Sequence, residues 1–203
     1  MRNILMIGGI CVALGLGGCI SVPNSLTPKF YMLEVADKDQ LGKDMRRSSA
    51  SLVGSGPIKI PEYQRRPQMV TQDQDKMLTF AQFDRWGESL DVGIARVIRE
   101  DLTTIIPKTT FMVYPFNSTI SVKYQVVVEI IQLESQLDKD LLFVAQWQII
   151  DLQNSKTVLI KRSEFRQPIT LPNYSGLAKT LSTACTLLSK DIAKELAVIP
   201  QYN

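Results

Sequence analysis

Cysteine and the carboxylates are the residues of this chain with reactive chemistry to offer, because histidine is absent. That absence excludes Ser-His-Asp and Cys-His catalysis and removes the commonest zinc ligand. Asp and Glu together number 20, yet no spacing singles out a pair for acid–base work or a cluster for a metal. Gly54-Ser55-Gly56-Pro57 is the nearest approach to a phosphate-cradling loop. It precedes a strand-like run instead of following a strand and opening a helix, so it reads as a turn or strand entry. The expectation is a chain with no catalytic residue, no metal and no cofactor, and not an enzyme. One position does suit a covalent step. Cys19 follows Leu16-Gly17-Gly18, so its thiol is approached past two residues without side chains. A lipid donor could reach the sulfur, and a peptidase the Gly18–Cys19 bond.

The residues before Cys19 explain why that step would happen. Met1-Arg2-Asn3 is a short basic start, and Ile4 to Leu16 is an uncharged, mostly apolar run of 13 residues. About 20 apolar residues are needed to cross a bilayer core of about 30 Å, so this run is too short to span one. It has the length of a secretory signal h-region, with small residues where cleavage falls. A buried N-terminal helix fits less well. Gly8, Gly9, Gly15, Gly17 and Gly18 lie in or beside the run, and each interior glycine costs a helix roughly 1 kcal/mol relative to Ala. Leu16-Gly17-Gly18-Cys19 resembles the bacterial lipobox. That resemblance implies a diacylglycerol thioether on Cys19, usually with a third acyl chain on the new amino terminus, and two or more chains make attachment stable. Ile20 and Ser21 follow Cys19 without the Asp that commonly retains such proteins in the inner membrane. The outer membrane, with the domain facing the periplasm, is therefore the expected location.

Residues 1–18 then read as signal peptide, 19–29 as a lipidated tether and 30–203 as one domain with a real core. The tether carries Pro23 and Pro28, and the ten residues from Ile20 to Lys29 at up to about 3.3–3.6 Å each would let the domain stand roughly 30 Å from its anchor. Of 23 basic residues only Arg2 leaves with the signal, against 20 acidic ones, so the mature chain stays near neutral and gives no reason to expect a nucleic-acid partner. Cys185 remains as the sole cysteine after cleavage and lipidation, so no intrachain disulfide is available.

The elements that position these features follow from periodicity. Phe30 to Val35 reads as a strand, and Asp37 to Ser51, with Arg46-Arg47, as a long charged loop without period. Val53 to Ile60 reads as a second strand. Met69–Gln72 and Met77–Phe80 flank Asp73-Gln74-Asp75-Lys76 as a hairpin. Leu90, Ile94, Val97, Ile98, Leu102 and Ile105 lie on one helical face, with Ser89 or Asp91 to cap it and Pro107 to close it. Phe111–Pro115 is a short strand. Alternation in Val122–Ile130, then Leu141–Ile149, then Thr157–Phe165 predicts an antiparallel meander. A last helix carries Tyr174, Leu177, Leu181, Cys185, Leu188, Ile192 and Leu196 as its apolar stripe, which makes Cys185 a structural, buried thiol. The expected fold class is α+β: a single domain with a mostly antiparallel sheet of about seven strands and two amphipathic helices packed on one face.

Two blocks carry a resemblance. Ile60-Pro61-Glu62-Tyr63-Gln64-Arg65-Arg66-Pro67-Gln68-Met69-Val70 and Phe80-Ala81-Gln82-Phe83-Asp84-Arg85-Trp86-Gly87-Glu88-Ser89-Leu90 resemble the signature blocks of the ABC-type transport auxiliary lipoproteins, those of paraquat-inducible (Pqi-type) systems. Lys29-Phe30-Tyr31-Met32-Leu33 matches the family's opening after the tether, and the Trp147 strand and closing helix match as well. Gly87-Glu88-Ser89 stands where the family often has Ala-Glu-Pro. The resemblance implies a non-catalytic subunit working with an MCE (mammalian cell entry) domain protein and an integral membrane permease. It also implies phospholipid or another hydrophobic cargo, and it leaves homo-oligomers open. The competing reading is a structural envelope lipoprotein that assists assembly of an outer-membrane or secretion complex.

The two blocks also have a physical reading. Pro61 and Pro67 exclude a central strand between them, because Pro cannot donate to a ladder, so Tyr63, Arg65 and Arg66 fall on an irregular segment. Arg85-Trp86 sits just before the first helix. As residues of types that dominate interface hot spots, Tyr63, Arg65, Arg66, Arg85 and Trp86 are candidates for partner contact. The plainer alternative has Trp86 filling the core and Arg85 pairing with an acid such as Glu88.

Overall fold

A computed structural model describes residues 27–42, 51–117 and 119–199. The signal segment, Gly18, Cys19, most of the tether and Arg46-Arg47 lie outside the described residues. The elements in chain order are β1 (Lys29–Tyr31), α1 (Lys38–Leu41), β2 (Ser51–Lys59), a 3-10 turn (Glu62–Gln64), β3 (Gln68–Gln72) and β4 (Leu78–Trp86). They continue with α2 (Leu90–Ile105), β5 (Thr109–Val113), β6 (Tyr124–Ser135), β7 (Asp140–Asp151), β8 (Lys156–Pro168) and α3 (Tyr174–Val198).

The α+β class and the single domain hold, with a difference in the sheets. The described residues form eight strands in two sheets, one of five in the order β5-β2-β6-β7-β8 and one of three in the order β1-β4-β3. The expected meander is there, β6 to β7 to β8, antiparallel throughout, as is the β3–β4 hairpin. The other ladders are parallel: β2 with both β5 and β6, and β1 with β4. Alternation reports which side chains face the core and is silent on the direction of the neighbouring strand. A parallel neighbour needs a long crossover, and the β3–β4 hairpin and α2 supply one between β2 and β5.

Both long helices pack on one face of the five-stranded sheet and against each other, α2 over β2 and β5, α3 over β7 and β8. Their stripes are the core: Ile94, Val97, Ile98, Leu102 and Ile105 on α2, Leu181, Cys185, Leu188, Ile192 and Leu196 on α3, all buried. Asn173 caps α3, its side-chain oxygen accepting from the Gly176 amide at 2.9 Å. Ser89 occupies the N-cap of α2, but its hydroxyl donates to the Asp91 carboxylate and not to the helix backbone. From the sheet, the buried Trp147 indole donates to Ser163 Oγ at 3.1 Å, and Ser163 donates to Asp191 Oδ2 on α3 at 2.9 Å. The burial of Cys185 is as its place in the stripe predicts, and desolvation pushes its thiol pKa strongly up. That favours the inert thiol over the thiolate.

After β1 the chain does not loop freely. It crosses both helices as a strap with Leu33 and Leu41 buried beneath it, and part of the expected loop is the helical turn α1. Four side chains fasten the strap. Arg96 Nη2 donates to Leu33 O at 2.8 Å, and Ser182 Oγ accepts from Glu34 N at 3.0 Å. Asp101 Oδ1 accepts from Ala36 N at 3.2 Å, and Lys190 Nζ donates to Gln40 O.

Candidate partner-contact surface

The Pro61–Pro67 segment takes its shape from what it must satisfy. β2 pairs with β6 only as far as Lys59↔Glu129, and an irregularity follows at Ile130–Gln132. Beyond it the Leu133 carbonyl has no partner on β2. The 3-10 turn after Pro61 supplies one: Tyr63 Oη donates to Leu133 O at 3.2 Å and the buried Gln64 Nε2 at 3.0 Å. Ser135 Oγ donates to Val70 O at 3.2 Å one step further on. Tyr63 is thereby half-buried and oriented inward, and burial, with Glu134 nearby, raises its phenol pKa. Arg65 and Arg66 point the other way. Arg65 is exposed and pairs loosely with Glu62 at 3.6 Å. Arg66, also exposed, lays its guanidinium over the Phe80 ring, 4.2 Å from the centroid, and makes no ion pair among the described residues.

The structure brings the two signature blocks together. Trp86 N donates to Pro67 O at 2.7 Å, Gln68 lies opposite Arg85 and Arg66 covers Phe80. From the strand side, Phe30 pairs with Arg85 and Tyr31 with Trp86. Tyr31 Oη donates to Asp84 Oδ1 at 2.7 Å, a bond that with burial holds the phenol pKa up at about 12. Trp86 is 6% exposed and belongs to the core, and its indole N–H finds no acceptor among the described residues. Arg85 is half-buried with its Nε unpartnered. The pairing expected between Arg85 and Glu88 is absent. Arg96, nearly two turns into α2, takes Glu88 at 2.7 Å and bridges it to the strap. The five candidates therefore divide: Arg65 and Arg66 face outward, Tyr63 and Arg85 are half-buried, and Trp86 fastens the assembly from beneath.

Two features had weaker signals in the sequence. Phe80 was readable as a hairpin strand residue, but its 42% exposure was not. Asp101 falls among Ile94, Val97, Ile98, Leu102 and Ile105, and a charged residue inside an apolar stripe is itself a signal of a buried polar contact. It is fully buried, with Oδ2 lacking a hydrogen-bond partner among the described residues.

A cleft of about 640 Å³ opens between the strap and α3, lined by Glu34, Asp37, Lys179 and Lys190 among others. Val35, Ala36 and Leu187 line it beside these charged side chains, so its lining is mixed. Among the described residues no three His, Cys, Asp or Glu side chains cluster to hold a metal, and no helix is long and apolar enough to cross a membrane.

A family model described as the ABC-type transport auxiliary lipoprotein component matches residues 31–193. Among solved structures, one described as an uncharacterized protein is similar over 84% of this chain and 99% of its own, with TM-score 0.67 and 16% identity. A Xanthomonas campestris protein is similar over 84% of this chain and 95% of its own, with TM-score 0.68 and 9% identity. At these identities the likeness is one of fold. No curated protein sequence matches the chain.

Proposed function

Because the chain belongs to the family of ABC-type transport auxiliary lipoproteins, we propose that it is the non-catalytic, membrane-anchored accessory of an intermembrane lipid transporter. In this reading Cys19 carries the lipid that holds it to the outer membrane, with the domain in the periplasm. Its partner is the MCE-domain protein of the same system, itself coupled to the membrane permease. Phospholipid or another hydrophobic molecule is the cargo.

The observation that carries the reading is the joining of the two signature blocks into one surface. Arg65 and Arg66 stand exposed beside Phe80, while Tyr63 and Trp86 hold the segment from within. A surface whose outer residues are arginine and aromatic, and whose inner residues pin it in place, has the composition of a binding hot spot. The two roles separate experimentally. Arg66→Ala should leave the melting curve unchanged and weaken capture of the MCE protein by about thirtyfold, the equivalent of about 2 kcal/mol. Trp86→Ala should lower stability by about 3–5 kcal/mol, the usual cost of truncating a buried aromatic, and any loss of binding should follow unfolding. A wild-type domain that captures neither the MCE protein nor lipid would replace the transport reading with that of a structural envelope lipoprotein.

A further inference from the structure

β4 is nine residues long, and β1 covers only its last three, Asp84 to Trp86. β3 lies along its other side. From Leu78 to Phe83 the edge facing away from β3 has no strand neighbour among the described residues. The stretch reads Leu-Thr-Phe-Ala-Gln-Phe, without a charge or a proline. Leu78, Thr79 and Phe80 are all exposed, on both faces of the strand, and Met77 before them is 64% exposed.

Proteins ordinarily blunt open edges with charge, proline or brevity, and both edges of the five-stranded sheet are treated so. β8 carries Lys156, Lys161, Arg162, Glu164, Arg166 and Pro168 along its length. β5 is five residues long and bracketed by Pro107 and Pro115. The Leu78–Phe83 edge has neither charge, proline nor brevity; its ladder with β3 is regular from Leu78 to Phe80 and shifts register before Arg85. Beside it Arg66, without a carboxylate partner, rests on the Phe80 ring.

We infer that the Leu78–Phe83 edge of β4 is a docking rail for an extended segment of another protein, which adds to the three-stranded sheet as a further strand. Main-chain hydrogen bonds supply the affinity in this mode and alternate side chains the specificity. The occupant's chemistry follows from the rail. It is an extended run of about six residues, bounded where β1 begins, with apolar side chains for Leu78 and Phe80 and a carboxylate for Arg66. The inference rests on the accessory reading for the source of that segment, the partner protein of the transport system, and on the geometry alone for the rail.

The test uses the full chain in its own envelope, with a photoreactive phenylalanine analogue in place of Thr79. Irradiation should yield an adduct with an acidic, extended segment of a second protein. A synthetic peptide copying that segment should slow amide exchange at least tenfold at alternate residues within 78–83. Arg66→Glu should reduce the adduct at least tenfold with an unchanged melting curve. No adduct, or an adduct with lipid, a second copy or residues 20–26 of the same chain, would overturn the proposal. So would binding of the peptide without amide protection. An adduct with a protein unconnected to transport would keep the rail and remove the accessory function.

Discussion

Asp101→Asn is the substitution for which the structure predicts an outcome opposite to the usual cost of a core mutation. Asp101 is fully buried between α2 and the strap, with one oxygen holding Ala36 N and the other unpartnered. Desolvation raises its carboxyl pKa above the ordinary 3.8. The Thr186 and Ser189 hydroxyls nearby, whose protons go to the Ser182 and Cys185 carbonyls, offset this in part together with the Ala36 amide and the charge of Lys190. The folded state therefore binds the proton more tightly than the unfolded state does. Above the folded pKa the ionised group destabilises the fold, at about 1.4 kcal/mol for each unit of the raise. As pH falls through the folded pKa toward 3.8, that penalty is relieved. Asparagine keeps the oxygen that accepts from Ala36, adds a donor for the hydroxyls of Thr186 and Ser189, and has no charge to desolvate. An unsatisfied buried polar atom costs about 1–3 kcal/mol, so at neutral pH the variant should match or exceed wild type by up to that amount. At about 2–4 °C per kcal/mol for a domain of this size, the gain is readable in thermal melts by circular dichroism. The advantage should be largest at pH 7.5 and close as pH approaches 4. An Asn variant less stable than wild type at pH 7.5, or a difference that does not change with pH, would refute the account.

Cys19→Ser should leave the precursor uncleaved and without radiolabelled palmitate, and label entering that variant would remove the anchor. Leu181, 1% exposed in the α3 stripe, should cost about 2–5 kcal/mol on truncation to Ala, whereas Lys179→Ala on the exposed face should stay within about 0.5 kcal/mol in the same denaturation series. A Cβ on Gly176 would meet the Leu171 carbonyl oxygen at 2.0 Å, so Gly176→Ala should lower the melting temperature by forcing apart the capped start of α3, and an unchanged melt would show that the turn before the helix yields freely.

The helices were legible because their stripes recur every three or four residues, and the meander because β6 and β7 alternate and are joined by short polar turns. What periodicity could not carry was neighbour identity. Nothing in Val53–Ile60 distinguishes a strand flanked by parallel neighbours from one in a meander, and Lys29–Tyr31 is too short for its alternation to announce a place beside Asp84–Trp86. β4 was read only to Phe80 because its ladder with β3 is irregular between Gln68 and Val70, which breaks the two-residue period just where the signature block begins. The contact candidates were found as residue types. Which of them face outward depended on the Leu133 carbonyl, an acceptor that exists because β6 outruns β2.

The strap also sets how the domain answers tension. Any load arriving along the chain from Pro28 enters at Lys29, and β1 lies parallel to β4 through three paired positions. Ladder bonds run across the strands, so a pull along β1 loads them in shear and must break them together. Slack freed there is taken up next at Leu33 by Arg96, then at Glu34 by Ser182, at Ala36 by Asp101 and at Gln40 by Lys190. These fasteners belong alternately to α2 and α3, so each step draws on the joint between the two helices and not on one alone. Under such a load the domain should yield by degrees, surrendering β1 and the strap while the five-stranded sheet and the two long helices stay whole.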